Sequence, residues 1–128
     1  MKKIKLEGTV FTGKGEGKEF LDLPWVKRQI REKLGFTPQP GTLNLKLTRE
    51  SVNRKKMLAK LQPMKVCPEE GYCSGLLFKA YVGELECAVL IPEVAGYPED
   101  VLEIIAPSNL RLQLQLKDGH LITVTVCP

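Results

Sequence analysis

Two short stretches hold the residue types from which phosphate chemistry is built. The first is Gly13-Lys14-Gly15-Glu16-Gly17-Lys18. Three glycines in five positions let backbone N–H groups approach an anion closely, and the flanking lysines add positive charge. Two familiar phosphate motifs do not fit it. Gly8 to Lys14 has the spacing G-x-x-x-x-G-K, but Gly15 stands where Ser or Thr is required, and Thr9-Val10-Phe11 belongs to a strand. A G-x-G-x-x-G fingerprint would need glycine where Lys18 stands. The same composition also suits a flexible hairpin connection. The second stretch is Thr42-Leu43-Asn44. Alternate residues of a strand share a face, so the Thr42 hydroxyl and the Asn44 carboxamide would point the same way. Both are neutral, hard oxygen ligands, suited to a Mg²⁺ ion that takes its remaining ligands from phosphates and water. Polar residues on the solvent face of a strand would look the same.

The elements that must position these residues are legible from periodicity. Ile4, Leu6, Gly8 and Val10 alternate with polar positions, the period of a half-buried strand. Thr12 to Lys18 is too glycine-rich for regular structure. Val26, Ile30 and Leu34 then recur at helical spacing, with Pro24 suited to a first turn and Gly35 to the stop. Thr42–Leu47 alternates strictly, placing its leucines on one face and Thr42, Asn44 and Lys46 on the other. A short helix is expected near Ser51–Lys60. Strands are expected near Met64–Val66, Gly75–Val82, Leu85–Ile91, Val101–Ile105 and Leu121–Val126. Leu110, Leu112, Leu114 and Leu116 alternate like a strand, yet Pro107-Ser108-Asn109 before them reads equally well as a helix start. Many short strands at close spacing point to a barrel or sandwich rather than a parallel α/β sheet.

The chain has 128 residues, one domain's worth, and no linker, internal repeat or low-complexity tract divides it. Hydrophobic residues are 43% and charged residues 27%, an ordinary globular balance. No apolar run approaches a membrane span, and the basic start has no apolar stretch behind it, so a soluble cytoplasmic protein is expected. A net charge of +4 suits an anionic partner, nucleotide or nucleic acid, without choosing between them. The four cysteines, Cys67, Cys73, Cys87 and Cys127, contain no C-x-x-C pair, and His120 alone is too few for a Cys/His zinc site. Cys67 and Cys73 could meet across a turn, but without an export signal small buried thiols are the preferred reading.

Four ordered blocks carry a family resemblance: Gly8-Thr9-Val10-Phe11-Thr12-Gly13-Lys14-Gly15-Glu16-Gly17-Lys18-Glu19-Phe20, Gly35–Leu45, Glu103–Arg111 and Leu116-Lys117-Asp118-Gly119. Spread over roughly Lys5 to Val126, they resemble the archaeal CTP-dependent riboflavin kinases. The resemblance implies a mainly β, six-stranded cradle-loop barrel with short inserted helices, as a single domain over residues 1–128. It implies transfer of the γ-phosphate of CTP to the 5′-hydroxyl of riboflavin, giving FMN and CDP, with Mg²⁺. By position, Lys14, Gly15, Glu16, Gly17, Lys18 and Glu19 match the family's loop over the nucleotide, and Thr42 and Asn44 its magnesium ligands. Ser108, Asn109, Leu110 and Arg111 match a second nucleotide-contacting segment, and Glu103 a flavin-contacting acid. Glu103 is also the candidate to orient or deprotonate the attacking hydroxyl. The family's short helix after Ala106-Pro107 decides the ambiguous leucines in favour of helix.

The sequence departs from the family at two points. Ala95 stands where the family commonly has a threonine on the flavin, so no side-chain hydrogen bond is available there. The family's Asp-Gly-Asp turn reads Asp118-Gly119-His120, with His120 an exposed turn residue. Longer relatives carry an N-terminal helix-turn-helix, whereas this chain is expected to begin at the barrel and to act as a monomer. Both substrates would then share the barrel's mouth. The competing class is a small basic barrel that binds nucleic acid. Against it, one Trp, three Tyr and four Phe are few for base stacking.

Overall fold

The computed structural model describes residues 3–127 apart from 15, 68, 70, 72 and 73, with the backbone alone at 16–18 and 59. The alternation at the start forms β1 (Ile4–Phe11), whose apolar residues are buried. α1 (Glu16–Leu21) and α2 (Pro24–Leu34) follow, then β2 (Leu43–Leu47), α3 (Arg49–Lys55) and a 3-10 turn over Lys56–Lys60. The rest of the chain is β3 (Met64–Val66), β4 (Gly75–Val82), β5 (Leu85–Pro92), β6 (Val101–Ile105), α4 (Leu110–Gln113) and β7 (Leu121–Val126). The strands pair antiparallel in the order β4-β5-β6-β2-β1-β7, and β7 returns to β4 through Ala80↔Val126 and Tyr81↔Thr125. The result is a closed six-stranded barrel, with β3 added outside it along β4. Closure pairs the two end strands of this row, β4 and β7, with each other.

A barrel this narrow is filled by its own side chains. Leu6, Val10, Leu45, Val89, Leu102, Ile104 and Val124 fill it, each at most 1% exposed. A second cluster lies outside the wall, where Trp25, Val26, Ile30 and Leu34 of α2 cover Leu77, Ala88, Leu90 and Ile105. That cover explains why Cys87 to Leu90 of β5 are buried without alternation. The helix starts at Pro24 and stops at Gly35, whose left-handed φ of 81° lets its N–H return to Arg31 O at 2.9 Å. Gln29 ties α2 to the end of β3, donating to Cys67 O at 3.0 Å and accepting from Cys67 N at 2.8 Å. Thr48 caps α3 by accepting from Ser51 N at 3.2 Å, and the buried Ser51 hydroxyl accepts from Glu7 N at 2.8 Å, fastening α3 to β1.

Three local expectations change, and one, the helix among the alternating leucines, holds. The glycine-rich stretch is not irregular throughout, since α1 begins inside it at Glu16. Leu21 is buried and the Phe20 ring meets Trp25 edge-on at 6.0 Å, so packing against the outer cluster overrides the weak helix propensity. The helix expected over Ser51–Lys60 begins at Arg49 and tightens into the 3-10 turn from Lys56. The alternating leucines form α4, and helical geometry separates them: Leu110 is buried while Leu112 is 76% exposed. Among the described cysteines, Cys87 is buried, and burial pushes its thiol up to about 12, but Cys67 is exposed because β3 lies outside the barrel. Cys73, and with it any pairing with Cys67, lies outside the described residues.

Candidate active site

One cross-strand row sets the floor of the site. Phe11 of β1 stands opposite Asn44 of β2, Asn44 opposite Glu103 of β6, and Glu103 opposite Leu90 of β5. Directly paired residues share a sheet face. Leu43 and Leu45 flank Asn44, Leu102 and Ile104 flank Glu103, and all four point into the filled barrel. The polar pair therefore stands on the outer face of the wall, beside the α2 cluster, and not in the mouth of the barrel. Leucine, isoleucine and valine already occupy the interior behind the mouth where both substrates were expected.

A cavity of about 940 Å³ opens over this row. Its size lies within the ordinary range for small-molecule sites, roughly 300–1,000 Å³. The loop Thr12–Lys14 and Phe20 of α1 form one wall, Gly41 and Thr42 another, and Val94, Tyr97 and Pro98 of the β5–β6 loop a third. Arg111 of α4 reaches the rim.

At its centre, Thr42 Oγ1 lies 3.0 Å from Asn44 Oδ1 and 3.1 Å from Glu103 Oε1. One hydroxyl carries one proton and here faces two acceptors. The other carboxylate oxygen, Glu103 Oε2, accepts from Tyr97 Oη at 2.5 Å. Gly13 closes the site from above: a Cβ there would come within 2.4 Å of Asn44 Nδ2. Only glycine lets the loop lie this close to the Asn44 amide. At the rim, Arg111 donates to Asp118 Oδ1 at 2.6 Å, and the Thr12 hydroxyl donates to the same carboxylate at 2.9–3.0 Å. These bonds, Arg111 first and Thr12 second, hold the Asp118 carboxyl below its ordinary pKa. The cluster joins the glycine loop, α4 and the turn before β7.

Of the residues singled out in the sequence, Lys14, Thr42, Asn44, Glu103 and Arg111 line this one cavity. Glu19 is exposed and does not line it. The three residues before Arg111 are engaged in forming α4. Asn109 Oδ1 caps it by accepting from Leu112 N at 3.1 Å, Ser108 donates to Gln113 Oε1 at 2.6 Å, and Leu110 is buried in the barrel core. Gly15, and everything beyond the backbone of Glu16, Gly17 and Lys18, lie outside the described residues. Sequence reasoning missed Tyr97 and the aromatic walls Phe11 and Phe20. For Tyr97 the available signal was an aromatic residue with a polar tip in a loop between strands, which alone names no partner.

The family model CTP-dep_RFKase, described as "Domain of unknown function DUF120", matches residues 10–126. The chain belongs to this CTP-dependent riboflavin kinase family. A protein named riboflavin kinase from Ignicoccus hospitalis is 43% identical over 129 residues, covering 98% of this chain and 72% of that one. Riboflavin kinase from Pyrobaculum aerophilum is 44% identical, covering 96% of this chain and 60% of its own length. Riboflavin kinase from Methanosarcina barkeri is 39% identical, covering 94% and 56%. The chain thus spans between about half and three quarters of these relatives. In this family member, no helix among the described residues is long and apolar enough to cross a membrane.

The oxygens of Thr42 and Asn44 fit a magnesium ion. Adjacent ligands of an octahedral Mg²⁺ at roughly 2.0–2.1 Å stand about 2.9 Å apart, and these two oxygens are 3.0 Å apart. Among the described residues no three His, Cys, Asp or Glu side chains gather as a metal site. A neutral pair of ligands suits an ion that arrives with an anionic nucleotide.

Proposed function

We propose that this chain is a riboflavin kinase, transferring the γ-phosphate of CTP to the 5′-hydroxyl of riboflavin and releasing FMN and CDP. The barrel serves as a single catalytic domain, and both substrates share the cavity on its outer face. The observation that carries the reading is the junction of Thr42, Asn44 and Glu103 in one cavity whose rim holds Lys14 and Arg111. Membership of the family and the names of the relatives support the substrate and the choice of CTP.

Phosphoryl transfer asks a protein mainly for positioning and charge stabilisation. Lys14, with Lys18 and the amides of the glycine loop, holds the phosphates, and Arg111 adds a second cation from α4. Thr42 Oγ1 and Asn44 Oδ1 would hold Mg²⁺, which would supply neutralisation of phosphate charge. The Thr42 hydroxyl, 3.1 Å from Glu103 Oε1, can donate its proton to that carboxylate. Glu103 also orients the flavin's 5′-hydroxyl and accepts its proton. The hydroxyl oxygen forms the new bond to the γ-phosphorus while the bond to the β-phosphate oxygen breaks, leaving CDP. Phe11, Phe20, Val94 and Leu90 give the cavity the apolar surface a fused aromatic ring system requires.

The experiment is incubation with riboflavin, Mg²⁺ and each of CTP, ATP and GTP. FMN appears with CTP. No FMN with any nucleotide, together with salt-sensitive DNA binding, overturns the reading in favour of a nucleic-acid module.

A further inference from the structure

The Glu103 carboxylate is held from two directions. Thr42, beside it on the sheet, reaches Oε1, while Tyr97 reaches Oε2 from the loop between β5 and β6. Fixing a free glutamate side chain costs rotamer entropy, so partners at both oxygens set its direction before substrate arrives.

Tyr97 is in turn located by bonds that do not touch the cavity floor. Its N–H donates to Val94 O at 3.1 Å, and Val101 N donates to Pro98 O at 3.4 Å, folding the loop back onto the sheet. Lys55 of α3 lies behind the loop. Its Nζ donates to Glu99 O at 3.2 Å and Val101 O at 3.1 Å, and stands 5.8 Å from the centre of the Tyr97 ring. Burial lowers the Lys55 pKa, opposed by the fields of Asp100, Glu99 and Glu103. Lys55 thus bonds to the carbonyls on either side of Asp100, in the segment joining Tyr97 to Glu103. Through Thr48 and Ser51, α3 is itself fastened to the barrel.

We propose that Tyr97 is a positioning residue for Glu103, and that Lys55 holds the loop that presents it. Its consequence for turnover rests on the kinase reading; the Tyr97–Glu103 bond does not.

Tyr97→Phe removes the hydroxyl and keeps the ring in the cavity wall. In the full chain it lowers kcat about tenfold, the low end for a lost hydrogen bond to a charged group, and leaves KM for CTP and riboflavin within about twofold. In a Glu103→Gln background the same change has little further effect, since the two residues act as a unit. Lys55→Met lowers kcat by a smaller factor with the same unchanged KM. A readout independent of activity is the ¹³C resonance of the Glu103 carboxyl, assigned by its absence in Glu103→Gln. It shifts in Tyr97→Phe. A Tyr97→Phe protein with wild-type kcat, or an unmoved Glu103 resonance, overturns the proposal. If the wild type makes no FMN, the kinase reading falls, and the resonance still decides whether Tyr97 positions Glu103.

Discussion

Asn44 of β2 and Glu103 of β6 stand directly opposite each other on the outer face of the barrel wall, and the Thr42 hydroxyl lies within 3.1 Å of both. The proposed metal-ligand pair and the carboxylate are thereby coupled by strand register rather than by loop geometry. A slip of one residue in either strand would turn one of them into the barrel core. The register is secured by Leu43, Leu45, Leu102 and Ile104, which fill the interior.

Gly13→Ala tests how closely the loop lies on Asn44. The added Cβ meets Asn44 Nδ2 at 2.4 Å and Cγ at 3.2 Å, and the end of the Asn44 side chain can swing away. The melting temperature stays near wild type while turnover falls about a hundredfold, the scale of loss for an ångström of misplacement. Equal turnover would place the loop elsewhere.

Asn44→Ala removes one of the paired oxygens. The Mg²⁺ concentration giving half-maximal activity rises, whereas the fold persists because Asn44 does not enter the core. A Mg²⁺ titration superimposable on wild type would show that Thr42 and Asn44 do not hold the ion.

Glu103→Gln keeps shape and hydrogen-bonding capacity but not basicity. Turnover falls by about 10²–10⁴, the usual worth of a general base, while CTP binding measured by calorimetry survives. Unchanged turnover would remove Glu103 from that role.

Asp118 offers a pH test. Its carboxyl is held below the ordinary value by Arg111 and then Thr12. For a depressed carboxylate, the stabilising contribution is present above the unfolded value and is lost as pH falls through the lower folded one. The bond to Arg111 therefore persists through the ordinary carboxylate range and opens only below it. The Asp118 carboxyl, followed by NMR, titrates lower than an ordinary aspartate, and Arg111→Met moves its midpoint upward. A midpoint unchanged in that variant would contradict the pairing.

The barrel strands and α2 were legible because burial repeats with their geometry. Leu43, Leu45 and Leu47 keep the two-residue period of a strand, and Val26, Ile30 and Leu34 the period of a helix. Where packing outweighed local preference, the sequence misled: α1 forms among glycines because Phe20 and Leu21 find apolar partners. Thr42 and Asn44 were legible as a pair because they are close in sequence. Tyr97 was not, since nothing local to Gly96-Tyr97-Pro98 states that the loop folds back onto Glu103. The same strict alternation that buries the leucines requires Asn44 to face outward, so the site's place on the outer wall was implicit in the pattern before the barrel closed around it.

The most direct measurement of the central claim is incubation with riboflavin, Mg²⁺ and CTP labelled at its γ-phosphate. The account predicts that label moves into FMN with unlabelled CDP released, and that Glu103→Gln slows this transfer without abolishing CTP binding. Label remaining in CTP, or released only as inorganic phosphate with no FMN formed, would contradict it.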